Sequence, residues 1–96
     1  MVMTVLEAHV PASRLADVAR VFEEGARELP PEIVETYLVR DTADPSLFRL
    51  NTVWRTREDL ERMRASGVKP KGVQMFEAVG AAPTLKILDV VLHRAH

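Results

Sequence analysis

Trp54, Tyr37 and His9 are the side chains of this sequence whose types suit chemistry on a small molecule. His9 is the one histidine inside the body of the chain, since His93 and His96 stand at its end. An unperturbed imidazole titrates near neutrality, which is what a general base requires. A plainer reading competes with that role. Glu7 shares the strand face of His9, and Arg49, Asn51, Arg55 and Asp89 can meet them from neighbouring strands. Charges paired across an interface would account for the whole group, because unpaired burial costs several kcal/mol. Tyr37, the sole tyrosine, can hydrogen-bond a substrate carbonyl or pack with its hydroxyl at the surface. Trp54, the sole tryptophan, is by itself a core anchor able to bury up to about 250 Å². His93 and His96 are spaced to chelate a metal on a helix but sit where a chain frays, so no metal site is expected. With no cysteine, thiol nucleophiles, disulfides and thiolate metal sites drop out together. No Gly-rich phosphate loop, Ser-His-Asp order or usable carboxylate pair stands out either.

Those residues need a scaffold, and composition describes one. Of 96 residues, 47% are hydrophobic and 28% charged, the balance of a folded globule rather than a disordered tail. Length favours one domain over residues 1–96. A net charge of -1 without a basic run argues against nucleic acid. The first ten residues carry Glu7 and His9 and lack the basic and apolar regions of a signal peptide. No stretch approaches the ~20 apolar residues of a membrane span. A soluble cytoplasmic protein with no membrane partner is the expectation.

Val2 to Val10 reads as a first strand with Leu6, Ala8 and Val10 on one face and Val5, Glu7 and His9 on the other. Pro11 ends it. Ser13 is placed to cap a helix whose apolar positions, Leu15, Val18, Phe22, Ala26 and Leu29, recur at spacings of three and four until Pro30-Pro31 closes it. Ile33–Arg40 and Leu47–Arg55 are strand-like runs joined by an Asp- and Pro-rich turn. Thr56 with Asp59 forms a capping-box pattern for a helix carrying Leu60 and Met63 inward, with Gly67 as its stop. Residues 73–79 fit a helical turn by spacing and a strand by residue type, and a short helix is favoured. Leu85 to Leu92 is the last strand. The order predicts an α+β fold of ferredoxin-like β-α-β-β-α-β type, an antiparallel sheet with helices on one face. A chain this short leaves its other sheet face uncovered, so a homodimer is expected.

The run Leu50-Asn51-Thr52-Val53-Trp54-Arg55-Thr56-Arg57-Glu58-Asp59-Leu60, a strand ending in Trp and entering a capped helix, resembles the antibiotic-biosynthesis-monooxygenase-like family of dimeric α+β barrels. The segments from Phe76 to Val79 and Pro83-Thr84-Leu85 with the strand after them are similar to that family as well. The resemblance implies a homodimer with sheets packed face to face and a pocket in each subunit between sheet and helices. Trp54 matches the family's pocket tryptophan and shares its parity with Phe48, Leu50 and Thr52. Leu6, Ala8, Phe22, Leu50, Met63 and Phe76 are the expected lining. Haem-degrading relatives add an Asn on the first strand and a His on the second helix, and neither is matched here, so no haem is expected. What remains implied is a cofactor-independent monooxygenase-like protein acting on an aromatic or quinone-type molecule, with Trp54, Tyr37 and His9 as catalytic candidates and no cofactor. Asn51 has the parity opposite to Trp54 and is assigned to the dimer side. The alternative is a dimeric module of the same fold that binds a small apolar or aromatic molecule without catalysis.

Overall fold

The computed structural model describes all 96 residues. Four strands, β1 (Val2–His9), β2 (Ile33–Arg40), β3 (Leu47–Trp54) and β4 (Thr84–Asp89), form one antiparallel sheet in the order β2-β3-β1-β4. Three helices accompany them, α1 (Val18–Gly25), α2 (Arg57–Ala65) and α3 (Lys71–Ala78), α1 following the first strand and α2 and α3 preceding the last. This is the ferredoxin-like α+β arrangement predicted from the element order.

Alternation along the strands decides which face is covered. On β1 the buried positions are Val2, Thr4, Leu6 and Ala8, and on β3 they include Phe48, Leu50, Thr52 and Trp54. Pairing of Leu6 with Leu50 and of Ala8 with Phe48 brings these positions together on the helix side. The main core adds Val18, Phe22, Phe76, Val79 and Ala81, with the Phe22 and Phe76 rings edge to face at 4.9 Å between centroids. A smaller cluster of Val2, Trp54 and Leu60 closes the other end of the sheet.

The first helix departs from the sequence pattern. The spacing predicts one helix capped by Ser13 and running to Leu29, whereas the chain forms a 3-10 segment over Ala12–Asp17 before α1, which ends at Gly25. Pro11 occupies the cap position, and no side chain caps the segment. Arg14 holds the segment instead, donating to Asp17 at 2.9 Å and to the Ala78 carbonyl at 2.8 Å at the end of α3. Gly25 is where α1 meets α3: a Cβ there would stand 2.0 Å from Met75 Sδ. At α2 the capping pattern is realised, with Thr56 Oγ1 accepting from the Asp59 amide at 3.1 Å. Gly67 follows the helix with a φ of 75°, the left-handed geometry a helix stop uses. Residues 71–78 are helical, and the last strand ends at Asp89 rather than Leu92. No helix is long and apolar enough to cross a membrane.

Candidate functional site

Between the sheet and the helices lies a cavity of about 760 Å³. Its floor is set by strand register. Thr4 of β1 pairs with Thr52 of β3, and Thr52 pairs with Thr36 of β2, so three threonines stand in one row across the sheet on the helix side. Leu6, Leu50 and Leu38 form the next row. α1 contributes Phe22 and the residues after it, while Met63 of α2 and Gly72, Val73 and Met75 of α3 form the opposite wall. Gly72 lets α3 approach the floor closely: a Cβ would lie 2.7 Å from Leu6 Cδ1 and 2.8 Å from Leu50 Cδ2 and push those methyls aside.

Trp54 stands at one end of this cavity and is almost fully buried. Its position follows from the last turn of β3, packed on Val2 and Leu60, and its indole N–H donates to Thr4 Oγ1 at 3.1 Å. That bond satisfies the one polar atom of the ring and holds its plane in place. Thr36 Oγ1 lies 3.0 Å from Thr52 Oγ1 and 3.3 Å from the Asn51 carbonyl. The interior is therefore apolar apart from hydroxyls, and the charged residues of the lining, Glu23, Glu28, Arg64, Lys69 and Lys71, are exposed at the mouth.

The candidates named from sequence divide between the two faces of the sheet. Trp54, Leu6, Phe22, Leu50 and Met63 line the cavity. Ala8 and Phe76 do not reach it and belong to the core, Ala8 because its side chain is short and opposite Phe48, Phe76 because it is packed against Phe22. Tyr37 pairs with Asn51 on the open face, with its hydroxyl donating to Glu35 at 2.7 Å, a contact that pushes its own ionisation up. His9 also lies on that side, exposed, with Nδ1 3.1 Å from Ser46 Oγ and 3.6 Å from Asp44. Ser46 Oγ donates to Asp44 rather than to the imidazole, so the three residues tie the β2–β3 loop and form no nucleophile. Neither Tyr37 nor His9 can touch a molecule in the cavity, because strand parity sends them through the sheet.

The charge pairing expected around His9 holds for Glu7 and Arg49, cross-strand partners bonded at 2.5 Å. It fails for the other two charges. Asp89 pairs in register with Val2, so it shares the helix-facing parity and binds Arg57, and Arg55 turns to Asp59 of α2 at 3.1 Å. The residues the sequence pattern misses are Thr4 and Thr36, while parity alone puts Thr52 on the face of Trp54 without giving it a role. Their shared signal is a cross-strand row, which needs the register and not only the parity.

Comparison with known proteins adds the following. The family profile described as antibiotic biosynthesis monooxygenase matches residues 1–77. No curated protein matches the chain significantly. Among solved structures, SnoaB, a cofactor-independent oxygenase from Streptomyces nogalater crystallised as an Asn-to-Ala mutant, is similar with 18% identity and a TM-score of 0.72, over 96% of this chain and 94% of that one. An Arg-to-Ser mutant of MhuD with two manganese protoporphyrin IX bound per active site is similar with 18% identity and a TM-score of 0.74, over the whole of both chains. A third structure, described as an antibiotic biosynthesis monooxygenase, gives 15% identity and a TM-score of 0.72 over 96% of this chain and all of that one.

Proposed function

This chain belongs to the antibiotic biosynthesis monooxygenase family, and from that premise we propose that it is a cofactor-independent monooxygenase-like protein whose substrate is a flat aromatic or quinone-type molecule bound beside Trp54. One observation carries the reading. A cavity of about 760 Å³ with an apolar wall, one oriented indole and a row of hydroxyls is sized and lined for a neutral polycyclic ligand. Apolar walls exclude water and admit dioxygen, which is itself apolar.

In this reading the protein supplies position and dryness, and the substrate supplies the electrons. A ring CH₂ activated by a neighbouring carbonyl loses a proton, which leaves through the mouth where Glu23 and Glu28 are exposed. The carbanion passes one electron to dioxygen, and the two radicals combine to a peroxide. Reprotonation and loss of water leave a new carbonyl, so one oxygen atom ends in product and the other in water. Trp54 stacks on the ring and the hydroxyls orient its oxygens. Haem held through an imidazole does not suit this cavity: no histidine or tyrosine lines it, and its sulfur donors are the thioethers of Met63 and Met75. The single domain of residues 1–96 acts as a homodimer in the cytoplasm in the same reading.

The test uses an anthrone and an aromatic quinol with flavin, haem and metal excluded. Wild type is expected to consume oxygen, and the ligand to quench the fluorescence of its only tryptophan saturably. Trp54→Phe is expected to weaken binding while costing about 1 to 3 kcal/mol of stability. A second reading, the non-catalytic binding module, is favoured by the lack of any imidazole or carboxylate inside the cavity. Saturable quenching without oxygen uptake across such substrates would establish it in place of the enzyme.

A further inference from the structure

The bonds that Thr4, Thr52 and Thr36 already make determine which way each hydroxyl can act on a ligand. An indole N–H only donates, so Thr4 Oγ1 is the acceptor in its 3.1 Å bond from Trp54. Thr4 makes no other side-chain hydrogen bond, which leaves its single hydrogen free beside the cavity it lines. At the other end of the row, Thr36 Oγ1 donates to the Asn51 carbonyl at 3.3 Å and lies 3.0 Å from Thr52 Oγ1. A carbonyl only accepts and a hydroxyl carries one hydrogen, so both bonds exist together only when Thr52 donates to Thr36. The reverse direction would forfeit one of them. Thr52 therefore offers the cavity lone pairs and no hydrogen.

Thr4 and Thr52 are direct cross-strand partners, which places their side chains roughly 5 Å apart. We infer that Thr4 as donor and Thr52 as acceptor form the specificity-determining pair of this cavity. They select a flat neutral ligand with a carbonyl-type oxygen for Thr4 and, along the same edge, a hydroxyl for Thr52. The inference rests on the reading that the cavity binds aromatic molecules, and it goes further in assigning the polarity of each hydroxyl. Neutrality of the bound form follows from the wall, since the charged lining residues are exposed at the mouth. Trp54 becomes a positioning residue as well as a stacking wall, because its N–H is what turns the Thr4 hydrogen towards the ligand.

Calorimetric titration of the full chain with three probes tests this. The first, 2-hydroxyanthraquinone, carries both groups, with the hydroxyl too far from the carbonyl to bond it internally. The second, 2-methoxyanthraquinone, lacks the donor, and the third, 2-hydroxyanthracene, lacks the carbonyl. Wild type is expected to bind the first about five- to tenfold more tightly than either of the others. Thr52→Val should erase the advantage over the methoxy compound and keep the advantage over 2-hydroxyanthracene. Thr4→Val should do the opposite, and Thr4→Ser should restore the wild-type order. Should Thr4→Val unfold for want of a partner to Trp54, the selectivity of Thr52→Val decides alone, since that change leaves the Thr4–Trp54 bond in place. Equal affinity of wild type for all three probes would overturn the assignment while leaving an aromatic-binding cavity. So would variants that lose the same factor for every probe. Failure of all three probes to bind would overturn the cavity reading itself, and this inference with it.

Discussion

Asp59 is a buried carboxylate kept ionised beside the site. Burial pushes its carboxyl up, yet the Thr56 hydroxyl, Arg62 at 3.0 Å and Arg55 at 3.1 Å together hold it below the usual carboxylate range. Asp17, Asp41 and Asp44 are lowered too, Asp17 first by Arg14, Asp41 by the amides of Ala43 and Asp44, and Asp44 by Ser46. A carboxyl whose folded pKa is depressed stabilises the fold above its unfolded pKa of about 3.9, and that contribution is lost as pH falls through the lower folded value. Thermal stability is therefore expected to fall below about pH 4, with buried Asp59 the main contributor because the exposed carboxylates are screened by solvent. Asp59→Asn should lower the melting temperature at pH 7 and flatten that acid limb, read by circular dichroism melts between pH 2 and 7. An acid limb unchanged in the variant would remove Asp59 from the account. Asp59 and Thr56 were legible in the sequence because a capping box is a local pattern with fixed spacing. Thr4 and Thr36 were not, since they lie 32 positions apart in the chain numbering and only the β1–β3 and β3–β2 registers bring them into one row.

At the scale of elements, the seat of α3 decides how large the cavity can be. Residues 73–79 were ambiguous in sequence because Val73, Phe76 and Val79 satisfy a helical spacing with residue types common in strands. Burial resolves this: Phe76 and Val79 are fully buried in the core, and the helix begins beside Gly72, lying on Leu6 and Leu50. The early end of α1 escaped the pattern for a related reason, since the close approach of Met75 to Gly25 belongs to helix packing and not to the periodicity of either helix. Gly72→Ala sets two effects against each other. Replacing Gly in a helix gains up to about 1 kcal/mol, whereas overpacking costs about 1 to 3 kcal/mol. The atoms in the way are the ends of two flexible leucines, so the cost falls at the low end of that range and the variant should fold with at most about 2 kcal/mol lost. Those leucine methyls must then move into the cavity. Aromatic ligands should bind at least several-fold more weakly to Gly72→Ala although it stays folded, and an unaltered affinity would show that this part of the floor does not meet the ligand.

The whole molecule has one covered sheet face and one open face. Tyr37, Val39 and Leu88 are exposed at 50%, 40% and 46% on the open side, with Met3, Val5 and Leu47 half-buried between them. A patch of that kind on a chain of 96 residues suits association, and a second copy is the expected partner. Asn51 adds a second argument, because its side-chain oxygen is buried without any hydrogen-bond partner inside the chain. An orphaned buried acceptor costs about 1 to 3 kcal/mol, and being closed off from solvent in the single chain it can be satisfied only if the amide turns outwards, where a donor from a second copy packed face to face would meet it. Glu7 and Arg49 bind each other on this face, which keeps those two charges from opposing contact, while Lys86 opposite Val5 makes no ion pair within the chain. The sequence made this face legible through strand parity, whereas the orphaned oxygen could be seen only once Val5 and Tyr37 were placed beside Asn51. Light scattering at micromolar concentration is expected to give twice the chain mass. Val5→Lys puts a second positive charge directly opposite its cross-strand partner Lys86 at the middle of the face, and it should shift the equilibrium towards single chains by at least tenfold in concentration. Circular dichroism distinguishes a folded single chain from an unfolded one, since β1 also supports the cavity floor. A wild type that stays at the mass of one chain as concentration rises a hundredfold would end the face-to-face arrangement.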